Sequence, residues 1–171
     1  MKQEDSEKIG FARRQIDRTS RTYENIIYEI IRPYIQDLDK YVKKVKDSVT
    51  NYDDPPTVGE LDEFIMNLSV YIYYASSMQE QLGIKDDIAK AVYKESYHSA
   101  RDGIEKGTVA DKDSQAELLS QQDMVVSMLY RRAYSIVKAK VTAAQEILAS
   151  IKKVISRRIT EMELTRIGGS R

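Results

Sequence analysis

From Thr108 to about Arg166 the chain contains neither proline nor glycine. Tyr130, Tyr134, Val137, Val141, Ala144, Leu148, Ile151, Ile155 and Met162 recur there at alternating steps of four and three, with Arg158 filling one slot. That is the heptad signature of a long helix with an apolar seam. A second stripe (Val126, Leu129, Ala133, Ile136, Ala143, Ile147, Val154) widens the face, as in a helix packed on two or more neighbours. About 58 helical residues would span roughly 87 Å, longer than any globule of 171 residues. Such a helix must bend, break, project as a stalk, or bury its far end against another copy.

Upstream, the first 19 residues alternate charge with few apolar positions and read as frayed helix or disorder. A stripe of Tyr23, Ile27, Ile30, Tyr34, Leu38, Tyr41, Val45 and Val49 follows, and because it keeps its phase across Pro33 a kinked helix is favoured over two unrelated ones. Asn51–Pro56 (NYDDPP) is a polar linker that cannot continue a helix. Thr57 and Glu60 then form a capping box that opens a second helix, expected to stop at Gly83. A third helix is expected over about Lys85–Glu105, with Ile88, Val92 (and Tyr93), Ser96, Ser99 or Ala100, and Ile104 inward, closed by Lys106-Gly107. Thr108 and Asp111 form a second box that starts the long helix. The fold class is therefore all-α: an elongated helical bundle with a long C-terminal heptad-bearing helix. Its expected division is an N-terminal arm and Pro-rich linker over 1–56 and an oligomerisation and nucleic-acid-binding domain over 57–171.

Composition removes several classes of function. With no Cys there is no disulfide scaffold, Cys-zinc site or thiol nucleophile. A single His, His98, argues against a Ser-His-Asp triad or a multi-His metal site; Glu95 and His98 are the one Glu-x-x-His pair. Phosphate-loop, dinucleotide, HExxH and EF-hand motifs are missing. The chain reads as no enzyme, with no metal and no cofactor. No apolar run approaches roughly 18 residues, and the start is charged, so the expectation is a cytoplasmic protein (host-cell cytoplasm if viral) with no membrane partner.

The formal net charge of zero conceals a segregation: residues 51–87 carry a net −7 and residues 131–171 a net +7. This suits either a polyanion-binding face or complementary patches that meet within or between subunits. Two cationic surfaces stand out. On the third helix, Lys90, Lys94, Tyr97 and Arg101 follow one flank with Tyr93 beside them. Cations that meet phosphates, interleaved with aromatic faces that stack on bases, are what a single-stranded nucleic-acid surface needs. Core-edge tyrosines beside solvated lysines are the plainer reading of the same residues. The second surface is the row Arg131, Arg132, Lys138 and Lys140, continued by Lys152, Lys153, Arg157 and Arg158.

A helix ending before a Gly turn, then TVADK (108–112), a polar stretch and a long helix closing in IKKVISRRITEM (151–162) resembles the UvsY-like recombination mediators of bacteriophages. The likeness covers about Leu61–Gly168 and is strongest over Ala89–Gly107 and Ile147–Gly168. It implies a non-catalytic homo-oligomer that binds single-stranded DNA and helps load a RecA-like recombinase onto strands coated with single-strand-binding protein. It places nucleic-acid contacts on Lys90, Tyr93, Lys94, Tyr97 and Arg101. It places the oligomer interface on Ile147, Leu148, Ile151, Ile155 and Met162. Asp102 and Glu105 depart from the basic turn expected there, and residues 1–56 have no counterpart. The alternative is a helical phage or bacterial scaffold in which the charge split serves subunit packing and nucleic acid has no role.

Overall fold

The computed structural model describes residues 2–168. Four helices follow one another: α1 (Lys2–Val49), α2 (Val58–Asp102), α3 (Val109–Leu119) and α4 (Gln121–Gly168). No strand occurs among the described residues. The protein is all-α and its C-terminal helix is long. The chain forms two compact units, one from residues up to Pro33 with Leu82–Ser135 and the other from Tyr34–Gln81 with Ile136–Arg171. Among the described residues no helix is long and apolar enough to cross a membrane.

Both capping boxes form. Thr57 N–H donates to Glu60 Oε2 at 2.7 Å while Glu60 N–H donates to Thr57 Oγ1 at 3.2 Å. Thr108 and Asp111 repeat the exchange at 3.0 and 3.2 Å. Each box satisfies two backbone donors that a helix start leaves unpaired, and the bonds hold both carboxyls below their ordinary range. Gly107 before the second box has φ 123°, a left-handed conformation that disfavours a side chain.

Three local expectations are corrected. Residues 2–19 are helical, continuous with the rest of α1. Gly83 does not stop a helix; α2 passes straight through it. Its φ is not positive, and a Cβ there would lie 3.2 Å from the Tyr134 ring, so the glycine makes room for an aromatic. Because α2 is unbroken, one heptad phase governs it: Leu61, Leu68, Ala75, Leu82 and Ala89 are all buried at steps of seven. That phase turns the expected Tyr93, Ser96 and Ala100 inward together with Ala89, but leaves Ile88 and Val92, expected inward, exposed. Of the outcomes open to the long helix expected from Thr108, it breaks, at Ser120, which is buried and whose Oγ donates to the Ala116 carbonyl. The heptad register survives the interruption, since Ala116 and Ser120 are buried at whole-heptad steps from the buried Val137 and Val141.

The two units have different cores. In the second, Ile35, Leu38, Val45, Leu61, Phe64, Leu68, Ile72, Val137, Val141, Ile151 and Ile155 are buried. On α1, Ile31 and Ile35 are buried with the expected Leu38 and Val45, whereas the expected Tyr23 and Val49 are exposed. The Arg158 slot in the heptad is explained by a hydrogen bond from its guanidinium to the Pro56 carbonyl, which ties the linker to α4. In the first unit the buried residues are mostly small: Ala89, Ala116, Ser120 and Ala133, with Ile31 and Leu82. Such a core buries little apolar area per residue, and polar contacts share in holding it.

Candidate nucleic-acid interface

In the first unit, α2 presents the basic and aromatic flank. Its heptad phase turns Tyr93 and Tyr97 half inward and leaves Lys90 and Lys94 exposed. The Tyr93 and Tyr97 rings lie 6.5 Å apart, and His98 meets the Tyr97 ring edge-on at 5.5 Å. Lys90 and Lys94 make no ion pair with any described carboxylate. They are cations held in water beside an aromatic edge, an arrangement that can accept phosphate oxygens.

Arg101 is placed differently. Its Nε–H donates to Asp113 Oδ1 of α3 at 2.6 Å, and the Tyr97 hydroxyl donates to the same oxygen at 3.2 Å. The Arg101 bond holds the Asp113 carboxyl below the usual aspartate range. Desolvation, with the bond to Asp113 second, raises the Tyr97 hydroxyl. Ser96 Oγ of α2 donates to Asp123 Oδ2 of α4 at 2.5 Å. Sequence spacing alone put Arg101 and Tyr97 on a ligand flank; the structure brings them together as a clamp between α2 and α3. This clamp predicts an acid-sensitive stability. A depressed folded pKa contributes stability that is complete above the unfolded value and lost as pH falls through the folded one. Asp113→Asn is therefore expected to flatten the decline in the urea midpoint as pH is lowered below about 4. An acid limb as steep as the parent's would refute the clamp. Glu60 and Asp111 carry the same sign, so part of the decline persists.

Arg131 and Arg132 are exposed at the edge of a groove of about 470 Å³ lined by Tyr23, Ile27, Met128 and Leu129, all within the first unit. In the second unit Lys138 is exposed, whereas Lys140 is half-buried and its Nζ pairs with Asp39 Oδ2 of α1. The interface set divides as well. Ile151 and Ile155 are buried within the chain itself, Ile147 and Leu148 are half-buried, and Met162 is 54% exposed. Ile147 and Ile151 line a groove of about 520 Å³ with Val45, Val49, Pro55 and Val154. Past Ile155 the α4 apolar residues Ile159, Met162, Leu164 and Ile167 are exposed.

Sequence reasoning missed the arginines of the α1 N-terminal half. Arg14, Arg18 and Arg21 are exposed on regular helix. Their signal was a regular spacing of four and three, hidden by the alternating charges around it. Among the described residues no three His, Asp or Glu side chains converge as a metal site. No protein-family model, curated protein or solved structure matches this chain.

Proposed function

We propose that this chain is a non-catalytic homo-oligomer that binds single-stranded nucleic acid and serves, as the UvsY-like resemblance implies, to load a recombinase onto strands coated with single-strand-binding protein. One observation carries the reading: the first unit leaves Lys90, Lys94, Arg131 and Arg132 exposed and without a carboxylate partner among the described residues, with Tyr93 beside the two lysines. Arg101 and Tyr97 act through position, fixing the flank by holding α2 to Asp113. Oligomerisation multiplies modest single-site contacts by raising effective concentration.

A labelled single-stranded oligonucleotide followed by fluorescence anisotropy tests this. If about four phosphates are neutralised, affinity falls by about 10²-fold between about 50 and 300 mM salt. Absence of binding at the lower salt refutes the reading. Lys90→Glu with Lys94→Glu is expected to weaken binding by about tenfold or more with the light-scattering mass unchanged; undiminished affinity removes this flank from the site.

The scaffold reading is favoured by one specific observation. Arg101 and Lys140, two cations of the expected site, are engaged by carboxylates of the chain itself. Assembly through apolar residues such as Met162 persists at high salt, whereas phosphate contacts do not.

A further inference from the structure

The first 33 residues of α1 belong to the first unit, and their helix has two unlike sides. Ile9, Ile16, Tyr23, Ile27 and Ile30 share the side on which Ile31 is buried. On roughly the opposite side, successive steps of three and four join Phe11, Arg14, Arg18 and Arg21, then Asn25, Tyr28 and Arg32. Every one of these seven is exposed, Phe11 by 64% and Tyr28 by 57%. At 1.5 Å per residue the row runs about 32 Å.

The carboxylates nearby do not neutralise it. Glu24 accepts a hydrogen bond from Ser20 Oγ at 3.0 Å. Glu29 lies 3.9 Å from Arg32, a loose contact between exposed side chains. Asp17 forms no ion pair with a described residue, and neither do Arg14, Arg18 and Arg21. Three guanidinium groups therefore stand exposed along one line without an ion-pair partner among the described residues, with an aromatic ring at each end.

We infer that this face of α1 is a second track for the phosphodiester backbone of a single strand, separate from the Lys90–Lys94 flank. The inference rests on the nucleic-acid reading above and assigns it a site that the resemblance does not cover. The chemistry is specific to that ligand in three respects. Guanidinium groups present paired donors to phosphate oxygens. The arginines follow one another at steps of four and three residues, about 6 and 4.5 Å along the helix, so that they form a line of cations. Phe11 and Tyr28 offer exposed ring faces on which bases can stack irrespective of sequence. A lipid surface fits less well, because an interfacial helix lowers its apolar side into the bilayer and keeps its polar side in water, whereas on α1 Phe11 and Tyr28 lie on the arginine side, and of the aliphatic side Ile9 and Ile16 are exposed while Ile27, Ile30 and Ile31 pack.

The test uses the full chain and a labelled oligothymidylate. Arg14→Gln, Arg18→Gln and Arg21→Gln together are expected to lower affinity at least about tenfold and to reduce the slope of log affinity against log salt by about 2, since each single-strand phosphate contact contributes about 0.7. The corresponding triple Lys variant is expected to recover most of the slope, because it keeps the charge. Phe11→Ala with Tyr28→Ala is expected to weaken binding with the slope unchanged. Because the tracks are separate, the losses from the arginine variant and from Lys90→Glu/Lys94→Glu should add as free energies.

The outcomes separate cleanly. A parent that fails to bind the oligonucleotide at low salt refutes the function proposed above, and this track with it. A parent that binds, with the arginine variant equal to it in affinity and slope, refutes the track alone. Loss of binding in the Gln variant without recovery in the Lys variant overturns the charge argument. A changed mass by light scattering in both the Gln and Lys variants overturns it in favour of a subunit contact. Co-sedimentation with phosphatidylserine vesicles that the Gln variant abolishes, with oligonucleotide affinity intact, overturns it in favour of a membrane surface.

Discussion

Leu68→Ala is expected to lower the unfolding free energy by about 2–5 kcal/mol. Leu68 is fully buried on α2, with Leu61, Phe64, Ile72 and Ala75 buried on the same helix to either side. Removing its branched end loses the transfer free energy of the deleted carbons and leaves a cavity. Helices held from both flanks cannot fully collapse into that space. Against a typical domain stability of about 5–15 kcal/mol, the loss is a large fraction. Met66→Ala is the matched control, since Met66 is 70% exposed two residues earlier; its effect should stay within about 0.5 kcal/mol. Urea denaturation with an unchanged m-value measures both. A Leu68→Ala loss below about 1 kcal/mol would show that the heptad assignment of α2 is wrong.

Pro33→Ala is expected to act in the opposite direction, raising stability by about 2 kcal/mol. Pro33 lies inside α1, exposed, with helix on either side. Proline has no N–H for the carbonyl four residues back, and its ring crowds that carbonyl, so it costs about 3 kcal/mol relative to alanine in a helix interior. Part of the gain is offset because proline also restricts the unfolded chain, by about 0.4–1 kcal/mol. Little packing is lost with an exposed ring. The midpoint of urea denaturation should rise accordingly. An unchanged or lowered midpoint would mean that α1 needs its proline, and the helix-interior argument would fail.

These two positions show what kind of information each level carried. Leu68 was legible because Leu61, Phe64, Ile65, Leu68 and Ile72 repeat at helical spacing within one segment. The caps at Thr57 and Thr108 were legible for the same reason: a capping box is a contact between residues three apart. Gly83 misled. A lone glycine costs a helix only about 1 kcal/mol, less than the continued burial of Leu82 and Ala89 returns. Its purpose, room for the Tyr134 ring, depends on a residue 51 positions away. Residues 2–19 misled similarly. Their charges obscure a helix whose apolar side, Ile9 and Ile16, continues the phase of Tyr23, Ile27 and Ile30.

The same division runs through the candidate sites. Spacing alone put Lys90, Lys94, Tyr97 and Arg101 on one flank, and along α2 that flank exists. Spacing could not show that Arg101 faces Asp113 or that Lys140 faces Asp39, 101 residues away. Those pairings separate cations engaged by the chain from cations open to a ligand. They also redirect attention to arginines that have no such partner.

By itself the sequence determined the all-α class, the caps at Thr57 and Thr108, the linker break and the heptad seam of α4, because each is a relation among residues within a few positions of one another. Tertiary structure alone decided that α2 runs through Gly83, that the break of the long helix falls at Ser120, and which basic residues lack an ion-pair partner among the described residues. Packing and ion pairing are settled by whichever distant segment arrives alongside, and local spacing holds no record of that arrival.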